Sequence, residues 1–132
     1  MMSVKFGKWN IKDCEIFWRG SLAYAMVNTK PIVPNHVLVC PYRVVSSFCD
    51  LLPDEVQEMN FAVSRIVDAL GPSSVAVQDG REAGQTVPHV HFHILPRKNG
   101  PISQVDSRSE DRTEAEMTEE SEYLRGLINF SL

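Results

Sequence analysis

The 132-residue sequence lacks paired cysteines, long apolar runs and clustered basic residues. Its three cysteines are odd in number and none stand at CxxC spacing, which argues against a disulfide framework and favours a reducing compartment. No run approaches the roughly 18 apolar residues of a membrane helix. The N-terminal stretch MMSVKFGKWNIK also lacks the apolar segment of a secretory signal. We therefore expect a cytoplasmic protein that spans no membrane.

The charges are segregated along the chain, whose formal net charge is −4. Residues 106–122 hold eight of the 17 acidic residues and only two arginines, which leaves nine acids and ten basic residues in residues 1–105. That part is close to neutral and would not repel a small polyanion. Because no basic stripe is present, a nucleic-acid partner is not expected.

Hydrophobic patterning predicts one α+β domain with a mainly antiparallel sheet. Pro53 suits the first position of a long helix, and Gly71-Pro72 is a stop signal. Thr113 and Glu116 suit a capping box for a last helix. Strands are predicted over residues 15–19, 22–28, 36–41 and 73–78, and helices over residues 53–70 and 113–128.

Three of the four histidines, His89, His91 and His93, stand at alternate positions in the stretch VPHVHFHILPR. On a strand they would share one face, and Val90, Phe92 and Ile94 would share the other. A single histidine there is most often a solvent-facing residue, but three at strict period two are hard to explain in that way. The pattern predicts a row of imidazoles on a rigid strand.

Two kinds of chemistry suit such a row. Imidazole binds zinc, but His89 and His93 lie roughly 13 Å apart along an extended strand, so one tetrahedral ion does not easily collect all three rings. Alternatively, a neutral imidazole can attack an anionic phosphorus and form a phosphoramidate that water then hydrolyses. The preceding loop, Gly84-Gln85-Thr86, offers backbone N–H groups, an amide and a hydroxyl for transition-state oxygens.

Two segments resemble a known family. The stretches QDGREAGQTVPHVHFHILPRK (residues 78–98) and VNTKPIVPNHVLVCP (residues 27–41) are similar to the histidine triad (HIT) superfamily, and within it to the Fhit branch of dinucleoside polyphosphate hydrolases. The resemblance implies a HIT fold with a five-stranded sheet, a long central helix and a C-terminal helix. It also implies a homodimer in which two sheets join. A single HIT domain would then fill the chain, with a catalytic core over residues 5–100 and an acidic helical segment over residues 106–132.

The resemblance also implies a mechanism and a set of site residues. His91 would be the nucleophile that forms a nucleotidyl-histidine, His36 and His89 would orient it, and His93 would bind the phosphates. Diadenosine triphosphate and its relatives would be cleaved to AMP and a second nucleotide. No cofactor would be built into the protein, although Mg²⁺ or Mn²⁺ can accompany the substrate. The implied substrate-binding residues are Trp9, Asn28, Gln78, Gly84, Gln85, Thr86 and Val87.

Two departures from the family pattern and two alternative functions stay open at this point. Trp9 stands where relatives often carry a histidine, and the segment after Arg97 is short, with no tyrosine before Tyr123. A Hint-like nucleoside phosphoramidase is one alternative, although no tryptophan follows Trp18. A slow-turnover nucleotide-binding signalling module is the other, because binding and catalysis would use the same residues.

Overall fold

The computed structural model describes residues 4–97 and 111–131. The elements are β1 (Val4–Phe6), β2 (Trp9–Ile11), β3 (Ile16–Arg19), β4 (Ala23–Val27), β5 (Val37–Pro41), α1 (Pro53–Leu70), β6 (Ser73–Val77), β7 (Phe92–Pro96) and α2 (Glu114–Leu127). Strands β3 to β7 form one sheet in the order β3-β4-β5-β7-β6, antiparallel at every pairing, and β1 pairs with β2 in a separate hairpin. The predicted α+β architecture with a five-stranded antiparallel sheet is therefore confirmed.

Helix α1 follows the sequence prediction from end to end. Pro53 occupies its first turn, and Gly71 ends it with a φ of 85°, a conformation that glycine adopts at little cost. Met59, Ala62 and Ile66 are fully buried on the side that faces the sheet. This spacing places one apolar stripe against the sheet and anchors the helix there.

The sheet has an apolar core on each face. One face packs against α1 and α2 and includes Phe92 and Ile94 from β7. The opposite face carries Tyr24, Met26 and Leu38 and packs against the β1–β2 hairpin. Alternation along β7 sends His93, the partner of Leu38 in the β5–β7 register, to the hairpin side of the sheet.

Helix α2 is part of the same packed unit. Thr113 accepts a hydrogen bond from the backbone N–H of Glu116, as the predicted capping box requires. Arg125 and Ser121 both donate to the carbonyl of Ile16 in β3, and Leu124 is fully buried. The acidic C-terminal helix is therefore docked on the sheet that carries the histidines.

The N-terminal hairpin was not predicted. Phe6 pairs with Trp9 across a two-residue turn, in which Gly7 has a φ of 60°. Such turns need positive φ values, so glycine between two aromatic residues was the available signal. The hydroxyl of Tyr24 donates to the carbonyl of Lys5, which ties the hairpin to the sheet.

The histidine strand begins later than predicted. Strand β7 starts at Phe92, so His89 and His91 precede it and only His93 belongs to it. The backbone N–H of Val90 bonds to Val45, and the carbonyl of Pro41, at the end of β5, accepts a hydrogen bond from the His89 ring. Because a side chain takes the place of the next ladder bond, strand pairing stops there. The three histidines therefore stand on an irregular segment followed by a strand, and the prediction of one continuous strand is wrong.

The shortened segment after Arg97, at residues 98–110, lies outside the described residues. In the part of the chain that is described, neither helix combines the length and the apolar character that crossing a membrane requires.

Candidate active site

All four histidines are buried and lie side by side on the hairpin side of the sheet. Their exposed fractions are 1% for His36, 0% for His89, 8% for His91 and 8% for His93. The centroids of the His91 and His93 rings are 4.8 Å apart, and those of His93 and His36 are 5.3 Å apart. Phe6 of the hairpin lies 5.0 Å from the His91 ring and 5.7 Å from the His89 ring, centroid to centroid. The fold therefore joins the predicted triad to His36, which is more than 50 residues away in the chain.

His89 has a fixed role in holding the neighbouring backbone. Its Nδ1 accepts the backbone N–H of Gly7 at 2.8 Å, so this nitrogen carries no hydrogen. Its Nε2 donates to the carbonyl of Pro41 at 2.8 Å. Both ring nitrogens are occupied, and they link the hairpin, the histidine segment and the end of β5. His89 has no nitrogen left for a substrate.

His91 presents one free nitrogen. Its Nδ1 lies 2.7 Å from the carbonyl oxygen of His89, and because a carbonyl only accepts, Nδ1 carries the hydrogen. In the neutral ring the lone pair is therefore on Nε2. This is the form in which an imidazole acts as a nucleophile or a base.

His36 and His93 form a chain of donors that ends with an unpaired N–H. The backbone N–H of Ile32 donates to Nδ1 of His36 at 3.1 Å, so His36 holds its hydrogen on Nε2. That nitrogen donates to Nδ1 of His93 at 3.0 Å, which leaves the hydrogen of His93 on Nε2. Nε2 of His93 is buried and has no hydrogen-bond partner among the described residues. A buried donor without a partner next to a cleft is suited to bind an anionic oxygen.

The pKa values of all four histidines are lowered, so the rings are neutral at pH 7. Burial is the main cause in each case, and it lowers the pKa of His36 to about 4 and that of His93 to about 3. Burial also lowers the pKa of His89 and that of His91. For His36 and His93 the neighbouring His91 adds to the effect. Neutral rings match the hydrogen-bond pattern, in which each ring nitrogen has one defined role.

These lowered pKa values predict that the folded state becomes less stable in mild acid. Between pH 6.5 and about 4 the unfolded chain binds protons that folded His36 and His93 reject, so their contribution is complete above pH 6.5 and is lost as the pH falls. At roughly 1.4 kcal/mol per pKa unit, we expect a loss of a few kcal/mol by pH 5. Urea unfolding from pH 5 to 8 measures this, and His36→Gln should show a shallower pH dependence. Equal pH dependence in both proteins would contradict the assignment.

A cleft of about 500 Å³ lies in front of His91 and His93. Its apolar lining residues include Phe6, Ile11 and Leu38. The predicted site residues that line the cleft with His91 and His93 are Trp9, Asn28, Thr86 and Val87. The side chain of Trp9 is half exposed. The imidazoles therefore face an open space that is lined by both apolar and polar side chains.

Asn28 sits at the end of β4, beside the histidine chain. Its side-chain Nδ2 lies 3.4 Å from both ring nitrogens of His36, and its Oδ1 accepts the backbone N–H of Lys30. Its backbone carbonyl accepts two hydrogen bonds from Arg112, from Nε at 3.0 Å and from Nη2 at 2.6 Å. The predicted ribose-binding residue, Asn28, is thus held both through its side chain and through its backbone carbonyl.

Arg112 and Glu120 are the site-supporting residues that sequence reasoning missed. Nη1 of Arg112 lies 2.9 Å from Oε2 of Glu120, and their side chains are only 8% and 15% exposed. The backbone N–H of Arg112 also donates to the carbonyl of Thr29. Nothing local distinguishes these two residues within the acidic C-terminal segment, because Arg112 bonds to Asn28 more than 80 residues away and Glu120 pairs with Arg112.

In the loop before the histidines, Gly84-Gln85-Thr86, several of the hydrogen-bond donors that were expected to be free are already engaged. The backbone N–H groups of Gly84 and Gln85 bond to Arg81 and Gly80 within the loop. The Gln85 amide is also engaged: it accepts from Gly80 and donates to the carbonyls of Ser46 and Val87. In this structure these donors brace the loop, and their binding of transition-state oxygens stays a prediction.

Gln78, the remaining predicted phosphate ligand, lies against Gly84. A Cβ atom at Gly84 would stand 2.6 Å from Nε2 of Gln78, and Gly84 has a φ of 94°. Only glycine fits this close approach without strain. The Gln78 amide therefore packs on the face of Gly84 that a Cβ atom would occupy.

Across residues 4–97 and 111–131, no three histidine, cysteine or acidic side chains are grouped so that they could hold a metal ion. The groups that front the cleft are a free imidazole lone pair and a buried imidazole N–H. Together these can bind and attack an electrophile that bears anionic oxygens.

The fold and this buried histidine cluster define a class of α+β proteins with paired imidazoles at an open cleft. The family model described as HIT domain matches residues 11–100, and the chain belongs to that family. It is 40% identical over 141 residues to a bis(5'-adenosyl)-triphosphatase from Dictyostelium discoideum, a match that covers 97% of this chain and 95% of that protein.

Two further comparisons agree with this assignment. The chain is 44% identical over 110 residues to the bifunctional bis(5'-adenosyl)-triphosphatase/adenylylsulfatase FHIT of Arabidopsis thaliana, which covers 79% of this chain but only 61% of the plant protein. The crystal structure of Plasmodium falciparum diadenosine triphosphate hydrolase superposes with a TM-score of 0.84 at 31% identity and covers 96% of this chain and 84% of that one.

Proposed function

We propose that this protein is a hydrolase of phosphoric anhydrides that cleaves dinucleoside polyphosphates, such as diadenosine triphosphate, to AMP and ADP. The observation that carries the proposal is the pairing of a free His91 Nε2 lone pair with an unpartnered His93 Nε2–H at one cleft. The names of the three similar proteins support the same substrate class.

In the first step, Nε2 of His91 attacks the α-phosphorus. The P–N bond forms, the P–O bond to the bridging oxygen breaks, and its electron pair leaves with the nucleoside diphosphate. The Nε2–H of His93 donates a hydrogen bond to the oxygens at the scissile bridge. As His91 gains positive charge, its Nδ1–H bond to the His89 carbonyl strengthens and stabilises the intermediate.

In the second step, water attacks the same phosphorus. The P–N bond breaks, its electron pair returns to Nε2 of His91, one proton of the water passes to solvent, and AMP is released. His89 and His36 act by fixing the hydrogen positions on His91 and His93. The two steps together consume one water molecule and regenerate the neutral rings.

The remaining site residues have binding roles in this proposal. Asn28 hydrogen-bonds the ribose hydroxyls, the apolar lining residues pack on the base, and Trp9 contacts the nucleotide from the half-exposed side. Thr86 and Val87 line the phosphate path, and Gln78 donates its amide to phosphate oxygens from its place against Gly84. Mg²⁺ or Mn²⁺ would travel with the polyphosphate.

The chain is further proposed to act as a single HIT domain that forms a homodimer in the cytoplasm. Strand β6 is an edge of the five-stranded sheet, and its Val75 is 47% exposed. An unpaired edge strand with an exposed apolar residue favours pairing with another strand. Pairing of β6 with its copy would join two sheets into one.

The product profile tests the proposed function. Purified protein should convert diadenosine triphosphate to AMP and ADP in equal amounts, and turnover should exceed that of adenosine 5'-phosphoramidate at equal concentration. Faster cleavage of the phosphoramidate would favour the Hint-like alternative. Substrate that binds tightly but turns over only a few times per hour would favour the signalling module.

A further inference from the structure

A second depression borders the cleft at Thr86. It has a volume of about 610 Å³, and its lining includes Ser46, Gly80, Arg81, Gln85 and Thr86. Thr86 lines both this depression and the cleft of His91 and His93. The second depression therefore adjoins the histidine cleft at Thr86, and its lining residues include no histidine.

The cleft itself offers little positive charge for a polyphosphate. The charged residues that line it are Glu15, Lys30 and Asp111, and Nζ of Lys30 lies 3.6 Å from Oδ1 of Asp111. Arg112 is committed to Glu120 and to the carbonyl of Asn28. The four histidines are neutral. A divalent ion that travels with the polyphosphate neutralises part of its charge, and the cleft offers no unpaired cationic side chain for the remainder.

The second depression supplies such a side chain. Arg81 is the one charged residue among the described residues that line it, and its guanidinium makes no hydrogen bond or ion pair within the described chain. The hydroxyls of Ser46 and Thr86 likewise make no hydrogen bond among the described residues, whereas Gln85 braces the loop by bonding to Gly80, Ser46 and Val87. The conformation of the loop is therefore fixed by Gln85, and the guanidinium of Arg81 and the hydroxyls of Ser46 and Thr86 remain available to bind a ligand.

We propose that this depression is the subsite for the departing nucleotide, with Arg81 as the cation that binds its distal phosphates. This inference rests on the proposed function, and it predicts how the substrate is oriented when it is bound. The adenylyl group that His91 attacks occupies the side with Phe6 and Asn28. The rest of the polyphosphate runs past Thr86 to Arg81. Arg81 is then a determinant of leaving-group specificity.

The experiment compares two substrates that share the adenylyl group. One is diadenosine tetraphosphate, and the other is the p-nitrophenyl ester of AMP, whose leaving group carries no phosphate. Arg81→Ala should lower kcat/KM for the tetraphosphate by about fivefold, the size expected of one partly exposed charge pair, and leave the ester within about twofold. Arg81→Lys should restore most of the loss. The effect should shrink in 0.5 M salt.

Arg65→Ala is the matched control, because Arg65 is on α1 and its guanidinium lies over Phe61. This variant should leave both substrates unchanged. Equal loss for the two substrates in Arg81→Ala would show that Arg81 acts through the loop and would overturn the proposal. No loss for the tetraphosphate would also overturn it.

A separate measurement keeps this inference distinct from the proposed function. ADP and AMP are tested as inhibitors of ester cleavage by the original protein and by Arg81→Ala. Weaker inhibition by ADP alone in the variant supports the subsite, even if diadenosine polyphosphates are not cleaved. Unchanged inhibition by ADP overturns it, whichever substrate the protein prefers.

Discussion

Replacing His91 with alanine is expected to lower turnover of diadenosine triphosphate by a factor on the order of 10⁴ to 10⁶. The substitution removes the only ring nitrogen in the histidine chain that has a free lone pair at the cleft. Nε2 of His93 carries a hydrogen, and both nitrogens of His89 are occupied by backbone groups. No neighbouring side chain is thus placed to take over the attack.

His91→Asn is the matched control for folding. An asparagine amide can still donate to the His89 carbonyl, as Nδ1 does in the original protein, but it has no nucleophilic lone pair. Both variants should bind AMP and should keep a Tm within a few degrees of the original. If either variant retains more than about 1% of the original turnover, His91 is not the nucleophile.

Replacing Arg112 with methionine is expected to weaken both the fold and nucleotide binding. Breaking a buried ion pair by removing one partner costs about 3–5 kcal/mol, because the other charge stays buried. The carbonyl of Asn28 also loses two donors, so the end of β4 is no longer held beside His36. We expect KM for diadenosine triphosphate to rise at least about tenfold, which is roughly the loss of one well-placed hydrogen bond to the ribose.

A double variant separates these two effects. Arg112→Met with Glu120→Leu removes both charges, so the free energy of unfolding should recover in large part. KM should stay high, because the Asn28 carbonyl still lacks its donors. Lys12→Met is the control, since the Lys12–Glu114 pair is exposed and should contribute little. Recovery of KM together with stability would show that Arg112 has no positioning role.

The local elements could be predicted because their signals are local. Pro53 and Gly71 mark the two ends of α1, and Thr113 and Glu116 mark the start of α2, through local preferences that do not depend on distant residues. The alternation of apolar and histidine residues likewise placed Phe92 and His93 on opposite faces. Periodicity and capping are properties of a few neighbouring residues, so they are readable without the fold.

The contacts that complete the site could not be predicted, because each joins distant segments. The bond from Gly7 to His89 spans 82 positions, and those from Arg112 to Asn28 span 84. The bond from the His89 ring to Pro41 also shortens β7, and the local sequence pattern could not predict this later start of the strand. The resemblance to the HIT family identified which residues matter, whereas the structure gives the hydrogen position on each ring.

The central claim is that Nε2 of His91 is the one imidazole nitrogen free to form a bond to phosphorus. Its most direct test is to quench the protein during turnover of diadenosine triphosphate and to map the covalently bound AMP by peptide mass spectrometry. We predict that AMP is attached to His91 and that the label is absent from the His91→Asn variant. Attachment to His89, His93 or His36, or steady turnover with no labelled peptide at early quench times, would contradict it.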